Sequence, residues 1–129
     1  MLVPMVESAD RIYDSPVIRL VNAFLVSAIK AHASMIRVER SVVTFTIGGT
    51  ECEEMRLPDG VNAAIVRRLS VMANLPIYPR GQAAEGRIHL LVGDDRETYF
   101  ALRVAGHGED LRATLVLLKP EDLQPLERL

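Results

Sequence analysis

The chain has 129 residues, 49% of them hydrophobic, with 17 acidic against 15 basic side chains and a net charge of -2. A chain of this size suits one domain that buries roughly two thirds of the surface of its unfolded form, so it needs no metal or disulfide staple. The charge balance excludes a nucleic-acid binder working by bulk electrostatics, and the lone Cys52 excludes an internal disulfide. The apolar run in MLVPMVESADRIYD is too short and too acidic for a signal peptide, and no stretch reaches the roughly 18 apolar residues of a membrane span. These features point to a cytoplasmic protein. Its basic residues are mostly Arg, with Lys only at positions 30 and 119. Arginine forks onto carboxylate and phosphate, although a GC-rich genome also favours Arg codons.

In chain order, residues 1–14 read as an N-terminal arm. Ser15-Pro16 opens a helix, with Ser as cap and Pro at the first helical position. Val17, Val21, Phe24, Leu25 and Ala28 recur at helical spacing and predict one apolar face on a helix running to about His32. MIRVER, VVTFTIGG and TECEEMRL predict three short antiparallel strands, with Gly48-Gly49 as a tight hairpin turn. Pro58-Asp59-Gly60 introduces a second helix with Ala64, Ile65, Leu69 and Met72 on one face, and Pro76 and Pro79 forbid its continuation. An extended loop is expected next. GRIHLLVG and ETYFALRVAG then flank Gly93-Asp94-Asp95 as a hairpin, LRATLVLLK supplies a last strand, and Pro120 opens a C-terminal helix or tail over 120–129. The reading is α+β: residues 15–119 form a single domain, a mainly antiparallel sheet of about six strands with helices packed on one face.

Within the expected loop stands GQAAEGRI, two glycines at phosphate-loop spacing. A phosphate loop needs a preceding strand, a Lys for the terminal phosphates and a Ser or Thr for magnesium; this segment has Pro79-Arg80 before it and Arg87-Ile88 at its end. It is not a phosphate loop.

Several stretches carry a resemblance: Pro16-Val17-Ile18-Arg19-Leu20-Val21-Asn22, Ala33-Ser34-Met35-Ile36-Arg37-Val38-Glu39, Val71-Met72-Ala73-Asn74-Leu75-Pro76-Ile77, Glu85-Gly86-Arg87-Ile88, Leu102-Arg103-Val104 and His107-Gly108-Glu109. In this order the chain resembles, over about 15–119, the PAS-like N-terminal domain that precedes the RecA-like motor of type II secretion and type IV pilus assembly ATPases. The resemblance implies a PAS-like fold. It also implies that Arg87 and Arg103 hold the positions from which that domain approaches nucleotide bound by the motor. It departs where the family pattern Ala-Ser-Asp-Ile-His-Ile-Glu-Pro meets Met35, Arg37 and Arg40 in place of Asp, His and Pro, and where only Val104-Ala105-Gly106 separate Arg103 from His107. Ordinary ion pairs of Arg87 and Arg103 with Glu85, Glu97 or Glu109 are the alternative to phosphate recognition.

His107, between glycines, is a further candidate anion contact, with a plain turn position as its alternative. His32, His89 and His107 fall on different elements and offer no metal spacing. Glu51 and Glu53 share a strand face, but no nucleophile or general acid accompanies them. No catalytic residue, metal or cofactor is therefore expected, and without a motor the chain is not expected to be an enzyme. The reading is a non-catalytic interaction module that docks on a motor ATPase or another component of a secretion or pilus apparatus, with homo-oligomers as a further option and neither nucleic acid nor membrane insertion involved. The alternatives are a small-ligand sensor of PAS type and an excised domain of a longer assembly ATPase.

Overall fold

In a computed structural model, residues 16–75, 81–92 and 96–119 are described. Helix α1 covers Pro16–Lys30, and strands β1 Met35–Glu39, β2 Val42–Ile47 and β3 Thr50–Arg56 follow. Helix α2 is Val61–Met72, after which come β4 Gly81–Val92, β5 Arg96–Gly106, a 3-10 turn over Gly108–Asp110 and β6 Arg112–Leu117. The strands form one six-stranded sheet in the order β3-β2-β1-β6-β5-β4, with every neighbouring pair antiparallel. The α+β architecture expected from the sequence is the one found. Ser15, Gly93-Asp94-Asp95 and the C-terminal segment from Pro120 lie outside the described residues.

Both β1–β2 and β2–β3 turn through two residues with positive φ: Arg40 and Ser41 at 52° and 64°, Gly48 and Gly49 at 59° and 81°. Such turns match the natural twist of a hairpin. Arg40 stands where the family pattern has Pro, a residue whose ring holds φ near -65° and is incompatible with this turn.

The helices stop for a reason that the prolines do not supply. His32 N–H donates to Ile29 O and Ala33 N–H to Ala28 O, with His32 at φ 59°. Asn74 and Leu75 repeat the pattern on Val71 O and Ser70 O, with Asn74 also at φ 59°. Each pair of bonds is a Schellman motif, which satisfies carbonyls the helix leaves open. The first helix therefore ends at Lys30, slightly short of the expected His32, and the second is closed by Asn74 before Pro76 is reached.

Strand alternation sends one set of side chains toward the helices. Val21, Phe24, Leu25 and Ala28 of α1 and Ile65, Val66 and Leu69 of α2 form one buried cluster with Ile36, Val38, Val43, Phe45, Ile88, Phe100, Leu102, Ala113 and Leu115. The face expected on α1 is thus the buried one, with Val17 packed at its margin. On α2, Ile65 and Leu69 are buried as expected, while Val66 and Ser70 replace the half-buried Ala64 and Met72 as the more inward positions.

Position 86 belongs to this packing. Residues 81–85, expected in a loop, form the first half of β4, where Gly81 opposes Gly106 and Gly86 opposes Leu102. A Cβ on Gly86 would lie 2.9 Å from Leu75 Cδ2 and 3.2 Å from Ala73 O. The second glycine of GQAAEGRI therefore lets the end of α2 press on the sheet, a role unrelated to phosphate.

Asn62 joins three elements at one end of the domain. Its Oδ1 accepts from Ser41 N–H at 3.2 Å and its Nδ2 donates to Leu111 O at 2.9 Å, tying α2 to the β1–β2 turn and to the entry of β6. Asn62→Ala is expected to cost about 1 to 3 kcal/mol, because two part-buried backbone groups lose partners. A urea titration with unchanged slope and a lower midpoint is the expected result.

Candidate functional site

The face of the sheet opposite the helices carries the polar half of the alternation. Here Arg103 of β5 stands directly across from Glu85 of β4 and Thr114 of β6, and Arg87 stands across from Ala101, which in turn opposes Val116. Arg87 and Arg103 are therefore diagonal neighbours on adjacent strands and on one face, a relation that places Cα atoms roughly 7–8 Å apart. The small Ala101 leaves a depression between them, a cavity of about 520 Å³ lined by Glu85, Arg87, Ala101, Arg103, Thr114 and Val116.

The two arginines differ in their partners. Arg103 Nη1 lies 2.6 Å from Glu85 Oε2, with side chains 58% and 67% exposed. At that exposure, solvent screening leaves such a pair worth little to folding. Arg87 is exposed, and among the described residues no carboxylate lies within ion-pair distance of it. Of the three carboxylates considered from sequence, Glu85 pairs with Arg103 and Glu97 goes to His89, while Glu109 lines a separate cavity.

Other groups extend this face. His89 stacks on Tyr99, with ring centroids 4.3 Å apart and planes 3° from parallel, and His89 Nε2 lies 2.9 Å from Glu97 Oε1. The Tyr99 hydroxyl donates to the same oxygen at 3.2 Å. This cluster was missed from sequence; its signal is the hairpin register, which sets His89 opposite Tyr99. Toward the other edge, Arg37 Nη2 donates to both Glu51 oxygens at 3.0 and 2.9 Å, and its Nε lies 3.6 Å from Glu39. Glu51 and Glu53 do share a face, each opposite a threonine of β2.

His107 stands apart from the arginine pair. It follows Gly106 at the end of β5, exposed, and leads into the 3-10 turn whose residues Gly108, Glu109 and Asp110 line a second cavity of about 550 Å³ with Arg40, Asp59 and Asn62. Arg40 Nη2 meets Asp110 Oδ1 there at 3.5 Å. Among the described residues no group of three His, Cys, Asp or Glu side chains is placed to hold a metal ion. No helix among them is long and apolar enough to cross a membrane.

No family model matches the chain. Similarity to part of several known proteins is clear, however. The type IV pilus assembly ATPase PilB of Myxococcus xanthus is 37% identical over 124 residues, which is 93% of this chain and 21% of PilB. The type II secretion system protein E of Pseudomonas aeruginosa is 40% identical over 84 residues, 62% of this chain and 17% of that protein. This chain is homologous to part of the type II secretion and type IV pilus assembly ATPases. A second Pseudomonas aeruginosa relative, the type II secretion system protein HxcR, is 34% identical over 79% of this chain and 20% of its own length. The chain spans about a fifth of the length of these secretion and pilus ATPases. The X-ray structure of the Legionella pneumophila ATPase DotB shares the fold, with a TM-score of 0.57 at 10% identity over 77% of this chain and 29% of DotB.

Proposed function

We infer that this secretion-ATPase homologue is a non-catalytic interaction module of a secretion or pilus apparatus in the cytoplasm. It docks on a motor ATPase and offers Arg87 and Arg103 to phosphate held by that motor. The observation that carries this reading is the placement of both arginines, exposed, on one sheet face, on adjacent strands, around a shared cavity and with Arg87 unpaired among the described residues. Guanidinium groups arranged in this way can fork onto phosphoryl oxygens. An arginine supplied from outside a nucleotide pocket stabilises charge that develops on the transferring phosphoryl group.

The same geometry serves a domain within a longer assembly ATPase, a second reading favoured by the coverage of only about a fifth of the relatives. Support for a ligand sensor is weaker. Phe24, Phe45, Phe100, Ile65 and Leu115 fill the space between helices and sheet, each at 1% exposure or less.

The test mixes the protein with a candidate motor ATPase and compares turnover with the wild type and with the Arg87→Ala/Arg103→Ala double variant. The expected result is a rate effect lost in the double variant with docking retained, because charge that acts in the transition state raises turnover more than affinity. An unchanged rate would leave docking alone, and absence of a complex would remove the reading altogether. Alone, the chain is expected to show neither ATP hydrolysis nor saturable one-to-one binding of Mg-ATP at micromolar concentration by calorimetry.

A further inference from the structure

We propose that Glu85 is a built-in competitor for Arg103, a carboxylate that occupies the guanidinium until a polyphosphate displaces it. The inference rests on the phosphate-facing reading of Arg87 and Arg103 and adds its regulation. Glu85 and Arg87 lie two residues apart on β4 and so share the open face. Glu85 is also the residue directly opposite Arg103. With the 2.6 Å contact in place the cavity presents one arginine, Arg87, without a carboxylate partner among the described residues, and one neutralised by its neighbour.

A single phosphate meeting Arg87 has no reason to disturb the pair. A polyphosphate bound at Arg87 projects further oxygens toward Arg103 across the depression over Ala101 and competes there with Glu85. Three properties make the exchange feasible. The pair is more than half exposed, so water solvates the released carboxylate. Its loss costs the fold little, as for surface ion pairs in general. Phosphate oxygens also offer the guanidinium a bidentate, more highly charged acceptor than the single Glu85 oxygen now in contact. The site therefore discriminates by charge and length, favouring anions that reach both arginines.

The experiment titrates inorganic tripolyphosphate into the full chain at low ionic strength and follows amide shifts by NMR. Glu85→Gln keeps the side-chain shape and removes the competing charge. Its expected effect is binding roughly three- to tenfold tighter than wild type, the scale of removing a surface ion pair together with a like-charge repulsion. That gain should vanish in Glu85→Gln/Arg103→Ala. Glu97→Gln, which removes a charge from the same face next to His89, should change affinity less than twofold, roughly the limit of screened long-range charge. Equal affinity of Glu85→Gln and wild type, with Arg103→Ala weaker than both, overturns the competitor and leaves the arginine site intact. A gain that persists without Arg103, or is matched by Glu97→Gln, also overturns it by reducing the effect to net charge. Failure of every variant to bind tripolyphosphate overturns it as well, whereas the docking reading falls only with the motor complex, a separate measurement.

Discussion

Replacing Phe24 by Ala is expected to remove about 3 to 5 kcal/mol of stability, while Lys30→Ala on the same helix changes it by less than about 0.5 kcal/mol. Phe24 is fully buried and shares one cluster with Phe45 and Phe100 of the sheet and Leu69 of α2. Truncation removes its transfer free energy and leaves a cavity, which tightly packed neighbours on both layers cannot collapse to fill. Lys30 is exposed in the last turn of α1, where its charge meets the helix dipole. Chemical denaturation separates the two. Small and equal losses would mean that α1 does not pack on the sheet.

That contrast was legible because α1 writes its contacts locally. Val21, Phe24, Leu25 and Ala28 return at the helical period, and a helix that buries one face has little freedom to do otherwise. The hairpins were legible for similar reasons: Gly48-Gly49 can take the positive φ of a two-residue turn at no steric cost. Arg40-Ser41 forms the same turn without any glycine, a choice imposed by the pairing of Glu39 with Val42 and hidden from local propensity.

The segment Gly81–Glu85 shows where local reading gave out. Gly, Gln and Ala have little β-propensity, and two prolines precede the segment, so a loop was expected. Pairing with β5 decides its state instead, and propensity is overridden by a partner far away in sequence. Sheet order is hidden for the same reason: β1 lies beside β6, a contact across most of the chain.

The candidate site was legible in its residues but not in its balance. The family resemblance supplied Arg87 and Arg103, while Glu85 fell in the expected loop and its place beside Arg87 on β4 was not legible. Only the register across β4 and β5 shows that Glu85 meets Arg103 while Arg87 meets Ala101. A shift of one residue would turn these side chains toward the core. The stack of His89 on Tyr99 and the bridge made by Asn62 depend on the same kind of information.

Gly106→Ala is expected to destabilise the domain by about 3 kcal/mol, against about 1 kcal/mol for Gly108→Ala two residues on. Both glycines have positive φ, 81° and 61°, so each substitution carries the left-handed penalty of an L-residue. They differ in surroundings. A Cβ on Gly108 meets nothing within 4 Å, whereas one on Gly106 would strike the Asp110 carbonyl oxygen, with the carbonyl carbon 2.9 Å and Arg112 Nη1 3.0 Å away. Arg112 can swing aside, but the Asp110 carbonyl belongs to the backbone of the tight connection to β6. Relief requires moving that connection, which also carries Leu111, whose carbonyl accepts from Asn62. Thermal unfolding of the two variants side by side measures the difference. If Gly106→Ala loses no more than Gly108→Ala, the close approach of β5 to the 3-10 turn is not a feature of the folded protein. A larger loss for Gly106→Ala, with the Arg87 and Arg103 strand pairing intact by NMR, would place the strain at the His107 end of β5, away from the arginine face.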